Sequence, residues 1–436
     1  MSEHRIQVEE FDNGLRAAFV NMPHFRTTSA RLTINSGSLH ESPDTAGAAH
    51  FLEHINFQGT KDLPTDVHVH RYVENNGLSR NACTSKTDTS YTVDGYDLET
   101  VGHLVTQLAL FPLLEREALE KERKPIADEL RGRASNPAFY ADVEHSRALR
   151  GDEYAKPVIG TAEDIEKMTH ENLTAYYARN YRLGNAVLVM CSGEPVEKQR
   201  EYMLSLLDTV ADDSPTEPTA VKLSGFNPDN LHASLQSVDL PPEAQTSVVI
   251  NYGLPEVRNL HERYVYSFLG VALSKAAHRR LRGELALCYH AQAGAYRLDN
   301  LHFGADDNWG HLRMSANCNG ADSIPVLDAM LDDVLSRELP ESAYETLMKG
   351  LHRSIDDDLE SNPAGMANTI KSILAQTRQD EVDLEASKAF ADKISLDEVR
   401  NIQRNIIDTA PLVTATSPDP AVLERIGEWA TSRKQR

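Results

Sequence analysis

The sequence predicts an α+β fold of two similar halves, each a mainly antiparallel sheet backed by helices. Its 436 residues are enough for two or three domains at about 150 residues each. Residues 211–230 are rich in Pro, Asp, Ser and Thr and lack a sustained apolar period, so we expect them to link two domains. We therefore predict one domain over residues 1–210 and a structurally similar domain over residues 231–436.

A short internal repeat supports this division. The β-rich run TTSARLTINSGS contains Asn35 and Gly37 near its end, and the run TSVVINYGLP contains Asn251 and Gly253 in the same order. Each run precedes a loop and a helix; the first helix contains HFLEH, and the second is ERYVYSFLGVALSKAAHRRLRGE. The repetition indicates two halves with one plan, as an old duplication would produce.

The remaining elements follow in order along each half. In the first half we expect β-rich runs at 15–21, 29–35, 79–85, 89–96 and 186–192, and helices at 45–58, 65–76 and across 98–180. In the second half we expect helices between strands near 233–252, 286–297, 309–317 and 411–416. Strands joined by short turns and followed by clustered helices are typical of antiparallel sheets backed by helices.

Composition narrows the class of protein. The sequence has no long apolar run, which argues against a transmembrane helix. The polar start MSEHRIQVEEFDNG lacks the features of a secretory or transit peptide, so we expect a cytoplasmic protein without a membrane partner. The net charge of −22 argues against nucleic acid as the main partner. This negative charge is explained better by a need for solubility than by a preference for basic peptides.

The cysteines form no CxxC pair and are expected to be reduced thiols: Cys83, Cys191, Cys288 and Cys318.

The stretch HFLEH combines residues suited to metal chemistry. On an α-helix His50 and His54 lie on one face, one turn apart, and Glu53 falls on the same side. Two imidazoles there could bind one metal ion while the carboxylate stands beside it. A zinc hydrolase needs such ligands, a third protein ligand, an open position for water and a base. HxxEH is the inverted form of the HExxH zinc motif.

A surface helix with three polar residues is the competing interpretation. With 17 histidines in the chain, a chance HxxEH is expected in roughly one such sequence in twenty. Phe51, Leu52, Ile55 and Phe57 make this helix apolar on several sides, however, and buried polar groups need partners. The later helical stretch EREALEKERKPIADELRGR supplies two candidate third ligands. Glu122 and Glu129 are seven residues apart on one face, although glutamates are also common on solvated helices.

At these residues the sequence resembles the pitrilysin/insulysin family of zinc peptidases, in particular its short, mitochondrial-processing-peptidase-like branch. That pattern is HxxEH, then about 74 to 76 residues, then a glutamate ligand; here 74 residues separate His54 from Glu129. Glu122 matches a glutamate that the family has seven residues before the ligand. Four further segments resemble the family's: GSLHES, FQGT, GLSRNACTSKTDTSYTV and LRGELALCY.

The resemblance implies a ligand set and a mechanism. His50, His54 and Glu129 are expected to hold one Zn²⁺ per chain, with a water as fourth ligand. Glu53 is expected to be the general base, and Glu122 to orient a ligand histidine. The function implied is a zinc-dependent endopeptidase, with a non-catalytic partner or core subunit, or a peptide-binding metal protein, as the alternatives.

The resemblance also implies how a peptide substrate binds. An edge strand would pair with the peptide main chain beside the zinc, and the two halves would face each other across the site. The expected substrate-binding residues are Phe57, Asn81, Ala82, Cys83, Arg282 and Tyr289. From its residue type and surroundings alone, Tyr289 is better interpreted as a strand core residue.

Two further expectations accompany the resemblance. Chains of this length in the family usually pair, so we expect a homodimer or a heterodimer with an inactive homologous subunit. Pro125 lies between Glu122 and Glu129. Because proline removes a helix hydrogen bond, it could kink the helix and misalign the two glutamates, or begin a new helical segment.

Overall fold

The computed structural model describes residues 5–208, 210, 233–254, 260–297, 310–374 and 384–433. The predicted linker 211–230 lies outside these residues. Among the helices described, none combines the length and the apolar character that a membrane span requires.

The first half contains one sheet and a set of helices. Its strands are β1 (Arg5–Glu10), β2 (Arg16–Asn21), β3 (Thr28–Ile34), β4 (Ser79–Thr84), β5 (Thr89–Gly95) and β6 (Ala186–Ser192). Its helices are α1 (Ala48–Ile55), α2 (Asp66–Asn75), α3 (Leu98–Leu110), α4 (Arg116–Ala134), α5 (Pro137–Arg150), α6 (Asp152–Ala155), α7 (Ala162–Lys167), α8 (His170–Asn180) and α9 (Val196–Leu207).

The second half repeats this combination. Its strands are β7 (Ala233–Ser237), β8 (Thr246–Gly253), β9 (Cys288–Arg297), β10 (Gly310–Cys318) and β11 (Leu412–Ser417). Its helices are α10 (Leu260–Ala277), α11 (Ser323–Asp328), α12 (Glu341–Leu359), α13 (Pro363–Leu374), α14 (Leu384–Ala391), α15 (Leu396–Ile407) and α16 (Pro420–Arg433). Segments of π-helix, His278–Glu284 and Ala329–Leu335, continue α10 and α11.

The two sheets share one topology. The first has the order β1-β2-β6-β3-β5-β4 and the second β7-β11-β8-β10-β9, so β7 to β11 correspond to the first sheet without β1. The pairs β2–β6 and β11–β7 are parallel, and the other neighbouring pairs are antiparallel. In this correspondence β3 matches β8, which are the two runs that carry the sequence repeat. The predicted α+β fold with mainly antiparallel sheets is confirmed.

Three elements differ from the sequence prediction. β1, at one edge of the first sheet, was not expected, because its sequence RIQVEE is half charged. The predicted strand near 233–252 is two strands, since Pro241 and Pro242 lie in the gap and cannot donate to a ladder. The HFLEH helix extends only over Ala48–Ile55, shorter than the predicted 45–58.

Each sheet is also covered by a helix from the other half. Met366, Ala367, Ile370 and Leu374 of α13 belong to a buried apolar cluster with residues of β2 and β6. In the opposite direction, α5 packs on the second sheet and makes polar contacts there. The Asp142 carboxylate of α5 pairs with Arg313 of β10 at 2.7 Å, and His145 contacts Asn251 of β8 at 3.0 Å. The two halves therefore pack against each other through reciprocal helices.

Candidate metal centre

The helix α1 is fixed at its start by a residue outside it. Gly47 precedes the helix with φ of +85°, in the left-handed region that glycine occupies without strain. The Glu41 carboxylate accepts hydrogen bonds from the backbone N–H groups of Gly47 at 2.8 Å and Ala49 at 2.9 Å. Phe51 and Leu52 are fully buried in the hydrophobic core of the first half. The position and rotation of α1 are thus set by both its cap and its packing.

Three donor groups from α1 and α4 converge. His50 Nε2 lies 3.7 Å and His54 Nε2 lies 3.5 Å from the same oxygen, Oε2 of Glu129. One ligand atom from each of these residues can be chosen so that all lie within 4.8 Å of one another. Two imidazole nitrogens and a carboxylate oxygen form a donor set typical of zinc. Arg133 holds the other oxygen of Glu129 at 2.7 Å, which leaves Oε2 directed at the histidines.

The helix α4 runs through Pro125 without ending. It extends over Arg116–Ala134 with the proline inside, and both glutamates reach α1. Glu122 Oε2 lies 3.1 Å from His54 Nδ1, while Glu129 meets the other nitrogen of that ring. Both expectations for Pro125 are therefore wrong, because the two glutamates are not misaligned and no new helical segment begins at the proline.

The electrostatics of the two histidines differ. Burial, together with the neighbouring His54, lowers the pKa of His50 to about 4, so this imidazole is neutral at pH 7. Burial opposes the charged form of His54 as well, but the hydrogen bond and charge of Glu122, with Glu53 and Glu129, raise the pKa of His54. The same carboxylates that attract a proton to His54 favour a metal cation between the imidazoles.

Gln58 and Thr84 also hold the site, and the sequence reasoning missed both. Gln58 Nε2 donates to Glu122 Oε1 at 2.6 Å, and Thr84 Oγ1 donates to Glu53 Oε2 at 2.5 Å. Thr84 ends β4, at the edge of the sheet. Strand alternation from Ala82 could have placed its side chain on the face toward α1, although not its contact with Glu53.

The strand β4 exposes some of the predicted substrate-binding residues and half-buries others. Asn81 and Cys83 are exposed, while Ala82 is half-buried against the hydrophobic core of the first half. Phe57 is also half-buried there, and the guanidinium of Arg80 lies over its ring, 4.4 Å from the centroid. The edge of β4 thus adjoins both Glu53 and Phe57.

Arg282 and Tyr289 lie together in the second half. The guanidinium of Arg282 is 4.2 Å from the Tyr289 ring centroid. Tyr289 is 75% exposed, so its interpretation as a strand core residue is wrong. Within the described ranges, no hydrogen bond or ion pair connects either residue to α1 or α4. β9, which carries Tyr289, corresponds to β4 in the shared topology.

Comparison with known proteins gives two family matches. Residues 16–162 match the model of insulinase, peptidase family M16, and residues 167–351 match the model of the peptidase M16 inactive domain. Together these two regions cover most of the chain.

Individual relatives include mitochondrial and bacterial proteins. Subunit 1 of the mouse mitochondrial cytochrome b-c1 complex is 33% identical over 44% of this chain and 40% of its own length. The beta subunit of the Neurospora crassa mitochondrial-processing peptidase is 27% identical over 56% of this chain and 52% of its own length. The matches thus span about half the length of these mitochondrial relatives. A zinc protease of Mycobacterium leprae, named as uncharacterized, is 27% identical over 83% of this chain and 80% of its own length.

Solved structures share the fold over nearly the whole chain. A protease from Helicobacter pylori superposes with a TM-score of 0.80 at 17% identity, covering 95% of this chain and 100% of the other. A peptidase M16 inactive domain from Pseudomonas fluorescens gives 0.81 at 14% identity, covering 95% and 98%. These structures show the shared fold, and the two family matches show that the chain belongs to peptidase family M16, the insulinase family.

Proposed function

We propose that this chain is a zinc-dependent endopeptidase that hydrolyses peptides or unfolded segments. The convergence of His50 Nε2, His54 Nε2 and Glu129 Oε2, with Glu53 one residue before His54, carries the proposal. The names of two relatives, a zinc protease and a subunit of a processing peptidase, support it.

His50, His54 and Glu129 would hold one Zn²⁺ per chain. When bound, Zn²⁺ supplies Lewis-acid polarisation of a carbonyl and lowers the pKa of a water molecule. The contact between Glu122 and Nδ1 of His54 directs Nε2 of that ring toward Glu129. A carboxylate on the outer nitrogen fixes both the tautomer and the ring orientation of a ligand histidine.

Glu53 is the proposed general base. Its carboxylate accepts a proton from the attacking water and then passes it to the leaving amine of the cleaved peptide. The hydrogen bond from Thr84 to Oε2 holds the carboxylate in position, which leaves Oε1 for the water. Thr84 is therefore a positioning residue.

The edge strand β4 is the proposed binding site for the peptide main chain. An extended peptide can add to a sheet edge through backbone hydrogen bonds, with little demand on side chains. Asn81, Ala82 and Cys83 lie on that edge, and we propose that Arg282 and Tyr289 contact the peptide from the second half, which faces the first across the site.

A partner subunit is part of the proposal. Two relatives are named as subunits of larger assemblies, which supports a homodimer or a heterodimer with an inactive homologous chain. A cytoplasmic location stays a prediction.

A non-catalytic core or partner subunit is the second candidate. It is favoured by the match of residues 167–351 to the inactive-domain model and by the cytochrome b-c1 relative. The donor set of α1 and α4 favours the peptidase, because a purely structural subunit has no use for three convergent metal-binding groups.

The variant Glu53→Gln tests the assignment. It should keep its zinc, because Glu53 is not in the donor set, and lower cleavage of a quenched unstructured peptide by about 10²- to 10⁴-fold. Zinc is measured by atomic emission and cleavage by fluorescence. Glu117→Gln, an exposed glutamate of α4, is the matched control and should change neither. Undiminished cleavage by Glu53→Gln, or a wild-type protein that cleaves no peptide, would contradict the proposal.

A further inference from the structure

Arg80 lies near the start of the edge strand β4, and Thr84 lies at its end. Its half-buried side chain stacks on Phe57, with the guanidinium carbon 4.4 Å from the ring centroid. Thr84, four residues later, contacts Glu53 from the same strand. Because side chains alternate along a strand, Arg80, Ala82 and Thr84 share one face, the face toward α1.

The guanidinium of Arg80 has an aromatic partner but no anionic one. In the described part of the chain, no carboxylate lies within ion-pairing distance of the Arg80 guanidinium, and no side-chain hydrogen bond of Arg80 is present. Other arginines near the site are paired: Arg133 with Glu129 at 2.7 Å and Arg123 with Glu120 at 2.7 Å. Burial lowers the pKa of Arg80. A partly desolvated cation of this kind gains most from an incoming carboxylate.

The distance along the strand relates Arg80 to the reacting bond. At about 3.3 Å per residue, Arg80 and Thr84 are about 13 Å apart along β4. A peptide that adds to this edge also alternates its side chains, so every second residue of the peptide faces α1. One of these alternate residues, within about four residues of the cleaved bond, would therefore lie beside the Arg80–Phe57 pair.

We propose that Arg80 and Phe57 form a subsite that selects an acidic side chain of the peptide substrate, at one position within about four residues of the cleaved bond. The Phe57 ring keeps the guanidinium plane fixed, and its free N–H groups form a bidentate pair with an Asp or Glu carboxylate. This inference rests on the proposed peptidase function and names the substrate class that the site would prefer.

Peptide binding tests the subsite without turnover. Fluorescence anisotropy would be measured on the Glu53→Gln protein with labelled unstructured peptides, in which one Glu or one Gln is placed at each successive position. At one position the Glu peptide should bind about tenfold more tightly than the Gln peptide, the effect of one charge-assisted pair. Adding Arg80→Gln should reduce that ratio to about one.

Two further variants separate this effect from misfolding. Arg80→Lys keeps the charge but loses the planar fork, so part of the preference for Glu should remain. Arg353→Gln, which removes an 83% exposed arginine of α12, should leave the full preference. Equal affinity for Glu and Gln at every position, or a preference that persists in Arg80→Gln, would overturn the inference.

Cleavage assays separate this failure from failure of the proposed function. Wild-type cleavage that depends on Glu53 but shows no difference between Glu and Gln peptides overturns the subsite alone. A protein that cleaves no peptide in the series overturns the peptidase assignment as well.

Discussion

The two halves place different chemistry on one scaffold. In each, a central strand, β3 or β8, leads into a helix, α1 or α10, and apart from β1 the sheet orders correspond strand for strand. α1 carries HxxEH, whereas α10 does not, and its buried residues include Val265, Leu269 and Leu273. The topology therefore accommodates the candidate metal centre without requiring one, and the proposed function depends on side chains that the shared fold does not specify.

Both halves contain a histidine–carboxylate pair, but in the part of the chain that the structure describes only one of these pairs belongs to a larger donor set. His261 of α10 lies 3.1 Å from Glu398 of α15, the same separation as His54 and Glu122. Among the described residues, only the first half adds further donors to such a pair, through His50 and Glu129. Convergence of three donors, rather than one ion pair, distinguishes α1 from α10.

The largest expected effect follows from removing a histidine in each half. His54→Ala should lose bound zinc and all cleavage above background, because two remaining donors hold Zn²⁺ poorly. His261→Ala should keep one zinc per chain and full cleavage. Metal analysis of the two purified variants, with circular dichroism to verify folding, checks this. Zinc loss in His261→Ala instead would reverse the comparison of the halves.

The next effect concerns the carboxylates behind the two histidines. Glu122→Gln should weaken zinc affinity by about 10- to 100-fold, because the amide holds the His54 ring less firmly. Glu398→Gln should leave zinc affinity unchanged and lower the free energy of unfolding by about 1 kcal/mol or less, as for a partly exposed pair. Competition with a fluorescent chelator measures the affinities. Equal zinc affinity in wild type and Glu122→Gln would refute the orienting role.

The smallest effect on the site concerns the cap of α1. Burial raises the pKa of Glu41 from 4.5 to about 8, so the folded state binds a proton that the unfolded state releases above pH 4.5. This contribution to stability is present below about pH 4.5 and is lost as pH rises through about 8. The wild type should therefore lose stability relative to Glu41→Gln across that interval.

Urea unfolding at a series of pH values measures this difference. Glu201→Gln, an exposed glutamate of α9, is the control and should show no such trend. A difference between wild type and Glu41→Gln that does not change with pH would contradict the role given to burial.

The site residues that are related by helical spacing could be predicted from the sequence, whereas those brought together by tertiary contacts could not. The spacings of His50 with His54 and of Glu122 with Glu129 follow from helix geometry, so the sequence could indicate these sets of residues. The contact of Thr84 with Glu53 depends on how β4 lies beside α1, which no local pattern encodes. Arg80 over Phe57 is a contact of the same kind.

In the fold as well, local features could be predicted from the sequence and long-range contacts could not. The repeated runs predicted the correspondence of β3 and β8, because strand patterns are local. The parallel pairing of β2 with β6 joins residues about 170 positions apart, as Arg16 and Val187, and sequence patterns contain no information on such partners. The reciprocal packing of α5 and α13 was likewise not predictable, since an apolar helix face does not specify which sheet it covers.

The most direct test of the account is a crystal structure of the zinc-loaded protein, with anomalous scattering recorded on both sides of the zinc edge. We predict a single strong peak per chain, bounded by Nε2 of His50, Nε2 of His54 and Oε2 of Glu129, at about 2.0–2.2 Å from each. The absence of a peak there, or a peak beside His261 and Glu398, would contradict the assignment of the metal centre to α1 and α4.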